Sequence, residues 1–114
     1  MNKPPIIWSD SIDSILQTGI SLVEYGVSNF ALSKTDALIA IEKLQSMGVI
    51  ILGGDVYTRE YNNWKSTGDN WYITHEEEQL GQKCVALSSE RSVKFINNYK
   101  TDNAYFAIVP KVDS

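Results

Sequence analysis

Few residues in this chain have side chains suited to chemistry. There is one histidine, His75, one cysteine, Cys84, and a set of carboxylates at Asp55, Asp69 and residues 76–78. Asp55, Asp69 and the Glu76-Glu77-Glu78 run supply the paired carboxylates that acid–base catalysis uses, but no partner base or substrate pocket is written beside them. His75-Glu76 begins like a zinc-binding HExxH helix, and the second histidine does not exist. A metal site built on one His and one Cys would have to lean on carboxylates, which is rare, so no metal is expected. A Cys84–His75 dyad lacks an activating environment, and the surrounding KCVAL reads as buried, where a cysteine behaves as a small hydrophobe. No phosphate-cradling glycine loop and no nucleophile elbow occurs. The expectation is a protein with no catalytic residues and no cofactor.

The other place where chemistry gathers is VIILGGDVY, residues 49–57. Four apolar residues rich in β-branched types read as a buried strand, and Gly48 just before them favours that over helix. Gly53-Gly54 then gives the backbone access to positive φ or a close approach, and Asp55 stands at the strand's end where a carboxylate stays wet. The corner is either a β-bulge with a turn-stabilising Asp or a binding corner. Downstream, Tyr57, Trp64, Trp71 and Tyr72 interleave with Arg59 and Asp69, the residue mix of a protein-contact surface.

These residues need elements to hold them. Residues 1–8 carry Pro4-Pro5 and read as an extended lead-in, after which Ser9 or Asp10 caps a short helix with Ile12, Ile15 and Leu16 on one face, ended by Gly19. Residues 20–32 show no clear period. Ser33 and Asp36 form a capping box for a helix over 34–47, with Ala37, Leu38, Ile41 and Leu44 inward and Gly48 as its stop. Residues 56–61 alternate like a half-buried strand, 62–70 are turn-rich with Trp64 at the tip, and 71–74 resume strand composition, which predicts a long-looped hairpin. The acidic run after His75 reads as solvated, and Leu80, Cys84 and Leu87 share a helical spacing. Ser88 or Ser89 caps a helix over 89–99 with Val93, Ile96 and Tyr99 inward, and 104–109 forms a last apolar strand closed by Pro110. The sum is one α+β domain over residues 1–114: an antiparallel-rich sheet of strands 49–52, 56–61, 71–74 and 104–109 with two to three helices packed on it.

Composition bounds the partner. With 114 residues the chain can bury a core without staples. A net charge of −4 and a pI near 4.8 repel nucleic acid and anionic membrane and favour a basic partner. A single cysteine permits no internal disulfide, and no apolar run reaches the length of a signal core or a membrane span, so a cytoplasmic location is expected.

The helix Ala37-Leu38-Ile39-Ala40-Ile41-Glu42-Lys43-Leu44, then ILGGDVY at residues 51–57, then Asn70-Trp71-Tyr72, resembles the Immunity protein 40 family of bacterial polymorphic toxin systems. The resemblance implies an α+β cytosolic protein that binds and neutralises a cognate toxin, with Gly53, Gly54, Asp55, Tyr57, Trp71 and Tyr72 as motif positions. A basic nuclease is the toxin type that the acidic charge suits. Candidate contact residues are Asp55, Tyr57, Trp64, Asp69, Trp71, Tyr72, Glu76 and Glu77, with Gly53 and Gly54 structural. The Gly53-Gly54-Asp55 corner is expected to serve the fold first and recognition second. The rival class is a small ligand-binding domain or enzyme using that corner; the triplet is similar to the GGD of cyclic-dinucleotide synthases, but Val56-Tyr57 stands where those have Glu-Phe. A third reading is a scaffold subunit with its aromatics in a permanent interface.

Overall fold

In the computed structural model, residues 6–112 are described; most of the expected lead-in over 1–8 therefore lies outside them. Ser9 caps helix α1 (Asp10–Leu16), its Oγ accepting from the Ile12 N–H. Of the box expected at Ser33 and Asp36, the serine half is formed: Ser33 Oγ accepts from the Asp36 N–H and opens α2 (Lys34–Ser46). Gly48, at φ 75°, follows the last turn in the left-handed conformation that favours glycine there. The aperiodic stretch between these helices holds two short antiparallel strands, β1 (Ile20–Ser21) and β2 (Phe30–Ala31), around a 3-10 turn at Val23–Tyr25. Buried Asn29 fastens it, accepting from the Phe30 N–H and donating to the Ile108 carbonyl.

The main sheet is antiparallel, in the order β4 (Asn63–Tyr72), β3 (Ile51–Glu60), β5 (Ala104–Pro110). Leu32 bridges to Phe106 on the free edge of β5, so the β1–β2 segment continues the sheet there. On the inner face Val56, Trp71, Ala104, Phe106 and Ile108 meet Ile12, Leu16, Ala37, Ala40, Ile41 and Leu44 from α1 and α2, and Ile96 from α4 (Gln82–Asn98). On the outer face a smaller cluster of Leu22, Ala31 and Ala107 gathers Val27, Tyr57, Trp64 and Tyr105.

Three expectations are corrected. The strands expected at 49–52 and 56–61 are one ten-residue strand, so Gly53-Gly54-Asp55 is no corner. The bulge alternative describes it: the register slips between Ile51 and Gly53 against β5, and between Asp55 and Tyr57 against β4. The turn-rich stretch 62–70 is not a loop but most of β4, and the hairpin closes through Tyr61-Asn62 alone, with Tyr61 at φ 59°. Its turn residues instead build a bulge: Thr67, Gly68 and Asp69 face the single Val56, Gly68 takes φ 84°, and Thr67 Oγ1 donates to the Val56 carbonyl at 3.2 Å. Residues 73–74 lie beyond that strand, Ile73 donating to the Leu52 carbonyl and Thr74 capping α3 (His75–Glu78).

Third, the helix expected over 89–99 is α4, which begins a full two turns earlier and runs through Cys84 and Leu87. Ser88 and Ser89, read as caps, are buried in its interior, and Leu80 is left outside, 49% exposed. Polar residues mid-helix looked like an N-terminus because serine favours caps; here Ser88 and Ser92 hydrogen-bond helix carbonyls, which satisfies the hydroxyl without ending the helix.

Candidate functional site

The residues of the ILGGDVY and NWY stretches split across the two faces of the sheet. Gly54 sits opposite Trp71 on the inner face, and the indole lies directly over it: a β-carbon at Gly54 would stand about 2.5 Å from Cζ2 and 2.6 Å from Cζ3. At Gly53 a β-carbon would meet the Tyr72 Cα at 2.9 Å, with the Trp71 carbonyl oxygen closer still. Both glycines are therefore required by close approach of the neighbouring strand rather than by a turn. Trp71 itself is 6% exposed, stacks on Phe95 at 4.9 Å, and donates Nε1–H to Ser92 Oγ at 2.9 Å. The Ser92 hydroxyl donates in turn to the Ser88 carbonyl, and Ser88 Oγ accepts from the Ile51 N–H, so two serines one helical turn apart satisfy the buried polar groups of two strands. Nothing in the linear spacing announced this; an i, i+4 serine pair in a helix that lies over a Trp-bearing strand is the one available signal. Trp71, expected among the contact residues, is thus turned into the core and leaves that set.

Alternation puts Asp55, Tyr57 and Arg59 on the outer face with Asn70 and Tyr72 beside them. Trp64, expected at a loop tip, lies in β4 and folds back over the sheet: its ring meets Tyr105 edge-on at 4.9 Å, and the Arg59 guanidinium stands over it at 5.5 Å. Tyr57 pairs with Tyr105 across the strands. Its phenol is pushed up from the ordinary value, first by burial and then by the Asp55 charge. The Tyr25 hydroxyl donates to the Asn62 carbonyl and ties the 3-10 turn to the hairpin end. Tyr72 is 67% exposed. Asp55, Tyr57, Trp64 and Tyr72 are therefore brought onto one face.

The remaining acidic candidates lie elsewhere. Asp69, in the β4 bulge, accepts from the Tyr99 hydroxyl at 2.7 Å. The Glu run is not simply solvated: Thr74 and Glu77 form a reciprocal capping box for α3, and both Glu77 oxygens take the Arg91 fork at 2.6 Å. Arg91 first, then the Thr74 N–H, hold the Glu77 carboxyl down to about 2. Glu78 pairs with Lys111 at 3.0 Å, while Glu76 is exposed. Cys84 is fully buried, and burial, followed by the Glu77 and Glu78 charges, pushes its thiol up, away from nucleophilic use. The His75 ring faces the Gln79 amide at 3.5 Å. Among the described residues no three His, Cys, Asp or Glu side chains are grouped to hold a metal ion.

No helix among the described residues is long and apolar enough to cross a membrane. No curated protein and no solved structure matches the chain. The model of one protein family, Immunity protein 40, matches it over residues 21–110, from the first short strand to the last residue of β5, and so takes in the whole sheet, both long helices and the motif that the two faces divide. The chain belongs to the Immunity protein 40 family.

Proposed function

We propose that this protein protects the bacterium that makes it by binding a cognate toxin and blocking it, acting in the cytoplasm and without chemistry of its own. Family membership supports an immunity role. The observation that carries the binding reading is the outer sheet face, where Asp55, Tyr57, Trp64 and Tyr72 stand together on a rigid three-stranded scaffold. Aromatic side chains lose little conformational entropy on docking, and a sheet presents them in fixed register. The negative net charge favours a basic toxin, a nuclease being the type whose own substrate demands that charge. Asp69 and Glu76 lie off this face and would meet the toxin only on a wider footprint, and Glu77 chiefly holds α3 to α4 through Arg91.

The test is co-expression with the toxin domain encoded beside the gene for this chain. Growth should be restored by the intact chain, and an inactivated form of the toxin should co-elute with it in size-exclusion chromatography. Protection without a complex would replace binding with an activity, and an absence of protection would remove the reading altogether.

A further inference from the structure

The outer face of the sheet is only half covered. The 20–31 segment lies over the β5 side, where Leu22 packs on Ala107 and draws in Val27, Tyr57, Trp64 and Tyr105. Asp55 stands at the border of this cover, between Ala107 on β5 and Asn70 on β4. Beyond it the row continues with Gly53, which has no side chain, and the exposed ring of Tyr72 opposite. Asp55 is half-buried, yet among the described residues no N–H or O–H donates to its carboxylate, and neither of the ion pairs found uses it. The cation on its own strand, Arg59, is four residues away, about 13 Å at the usual rise, and stands over Trp64 instead.

With no protein donor among the described residues and its oxygens open to water, the Asp55 carboxylate has no internal partner to give up when a cation takes it. Tyr57 flanks it along the strand, about 7 Å away at that rise, and Tyr72 lies diagonally across on β4, within reach of a side chain seated on Asp55. A planar cation is what such a frame selects: two N–H groups for one carboxylate, and faces that lie against tyrosine rings.

Resting on the toxin-binding reading, we infer that Asp55 is the recognition anchor of this surface and takes an arginine side chain of the toxin between the rings of Tyr57 and Tyr72. The motif then has a division of labour: Gly53, Gly54 and Trp71 build the sheet, and the Asp55 carboxylate, which makes no hydrogen bond or ion pair among the described residues, is free for the partner.

The experiment is calorimetric titration of the intact chain with the catalytically inactivated toxin domain encoded beside its gene, alongside melting curves. Asp55→Asn should keep the melting temperature and lose affinity on the order of 100-fold. Glu42→Gln, which removes the same unit of charge from the exposed side of α2, packed against the opposite face of the sheet, should leave affinity unchanged. One Arg→Ala change in the toxin should cost affinity against the wild-type chain and cost little against Asp55→Asn. Unchanged affinity of Asp55→Asn overturns the inference while leaving the toxin-binding reading standing, and so does a lowered melting temperature with unchanged affinity. Coupling to a toxin lysine overturns the arginine assignment. If the wild-type chain does not bind the toxin at all, the proposed function falls and this inference with it.

Discussion

Gly54→Ala adds a single methyl group, and the structure says where it goes: into the ring of Trp71, about 2.5 Å from Cζ2. Ordinary contact needs at least about 3.5 Å, so the indole or the strand must move by about 1 Å. The ring has little room, since it is stacked on Phe95 at 4.9 Å and tilted against Phe106 at 6.4 Å. Overpacking of this kind costs about 1–3 kcal/mol. If the shift also breaks the Nε1–H bond to Ser92, a further ~1–3 kcal/mol follows from the orphaned buried donor. A total of about 2–6 kcal/mol is a large part of the ~5–15 kcal/mol that holds a typical domain together. The melting temperature should fall by about 8–24 °C, at ~4 °C per kcal/mol for a chain of this size. Near-ultraviolet circular dichroism, which reports the Trp environment, should change with it. Removing the ring should remove the conflict: in a Trp71→Ala background the added Gly54→Ala change should be close to neutral, a coupling of at least about 1 kcal/mol. A melting temperature for Gly54→Ala within a few degrees of wild type would refute the steric account, and equal costs in both backgrounds would place the strain in the backbone instead.

Ser92→Ala should lower stability by about 1–3 kcal/mol, read from urea unfolding, because it strands the Trp71 N–H inside the core, and toxin affinity should not move. The Glu77 carboxyl is held below its unfolded value, so its contribution is fully present above about pH 4.3 and is lost as pH falls toward about 2. Melting temperatures of wild type and Glu77→Gln should therefore differ at neutral pH and converge across that acid window; a gap that persists at the acid end would contradict the Arg91 pairing. Cys84 should react with a disulfide reagent only as fast as the protein opens, and a fast native reaction would contradict its burial. Cells carrying Cys84→Ala or His75→Ala should remain protected, and loss of protection by a folded, toxin-binding variant would return catalysis to consideration.

What was legible in the chain, and what was not, follows from the range of the interactions. Helix α2 could be read because its cap, its apolar stripe and its glycine stop are all local. The apolar run before Pro110 could be read as a strand for the same reason, and of the run before Gly53 its second half could: Ile51 and Leu52 open β3, while Val49 donates back to the Leu44 carbonyl at the end of α2. Residues 62–70 could not: Asn, Ser, Gly and Asp argue for a loop, and what overrides them is ten-residue pairing with β3, a contact that no local window contains. The bulge absorbs that conflict, since Thr67, Gly68 and Asp69 are turn residues used inside a strand. In α4 the error ran the other way. Serine carries a genuine capping preference, but the Ser88 hydroxyl found a helix carbonyl and a strand N–H, and the helix passes through it and through Ser89, whose buried hydroxyl has no hydrogen-bond partner among the described residues.

The candidate site shows a subtler limit. The resemblance noted in the sequence groups Gly53, Gly54, Asp55, Tyr57, Trp71 and Tyr72 as one motif, and a motif invites one role. Strand alternation divides it in two, because Gly54 and Trp71 face inward while Asp55, Tyr57 and Tyr72 face outward. A linear pattern cannot show that division until the register of β3 against β4 is known. Once it is known, each glycine is seen pressed by the neighbouring strand, while the Asp55 carboxylate has no donor among the described residues. Glycines under close approach tolerate no added atom, whereas a carboxylate without a protein partner can lose its charge at little cost to the fold. Stability measurements should therefore rank Gly54 and Trp71 far above Asp55, and affinity measurements on folded variants should reverse that order.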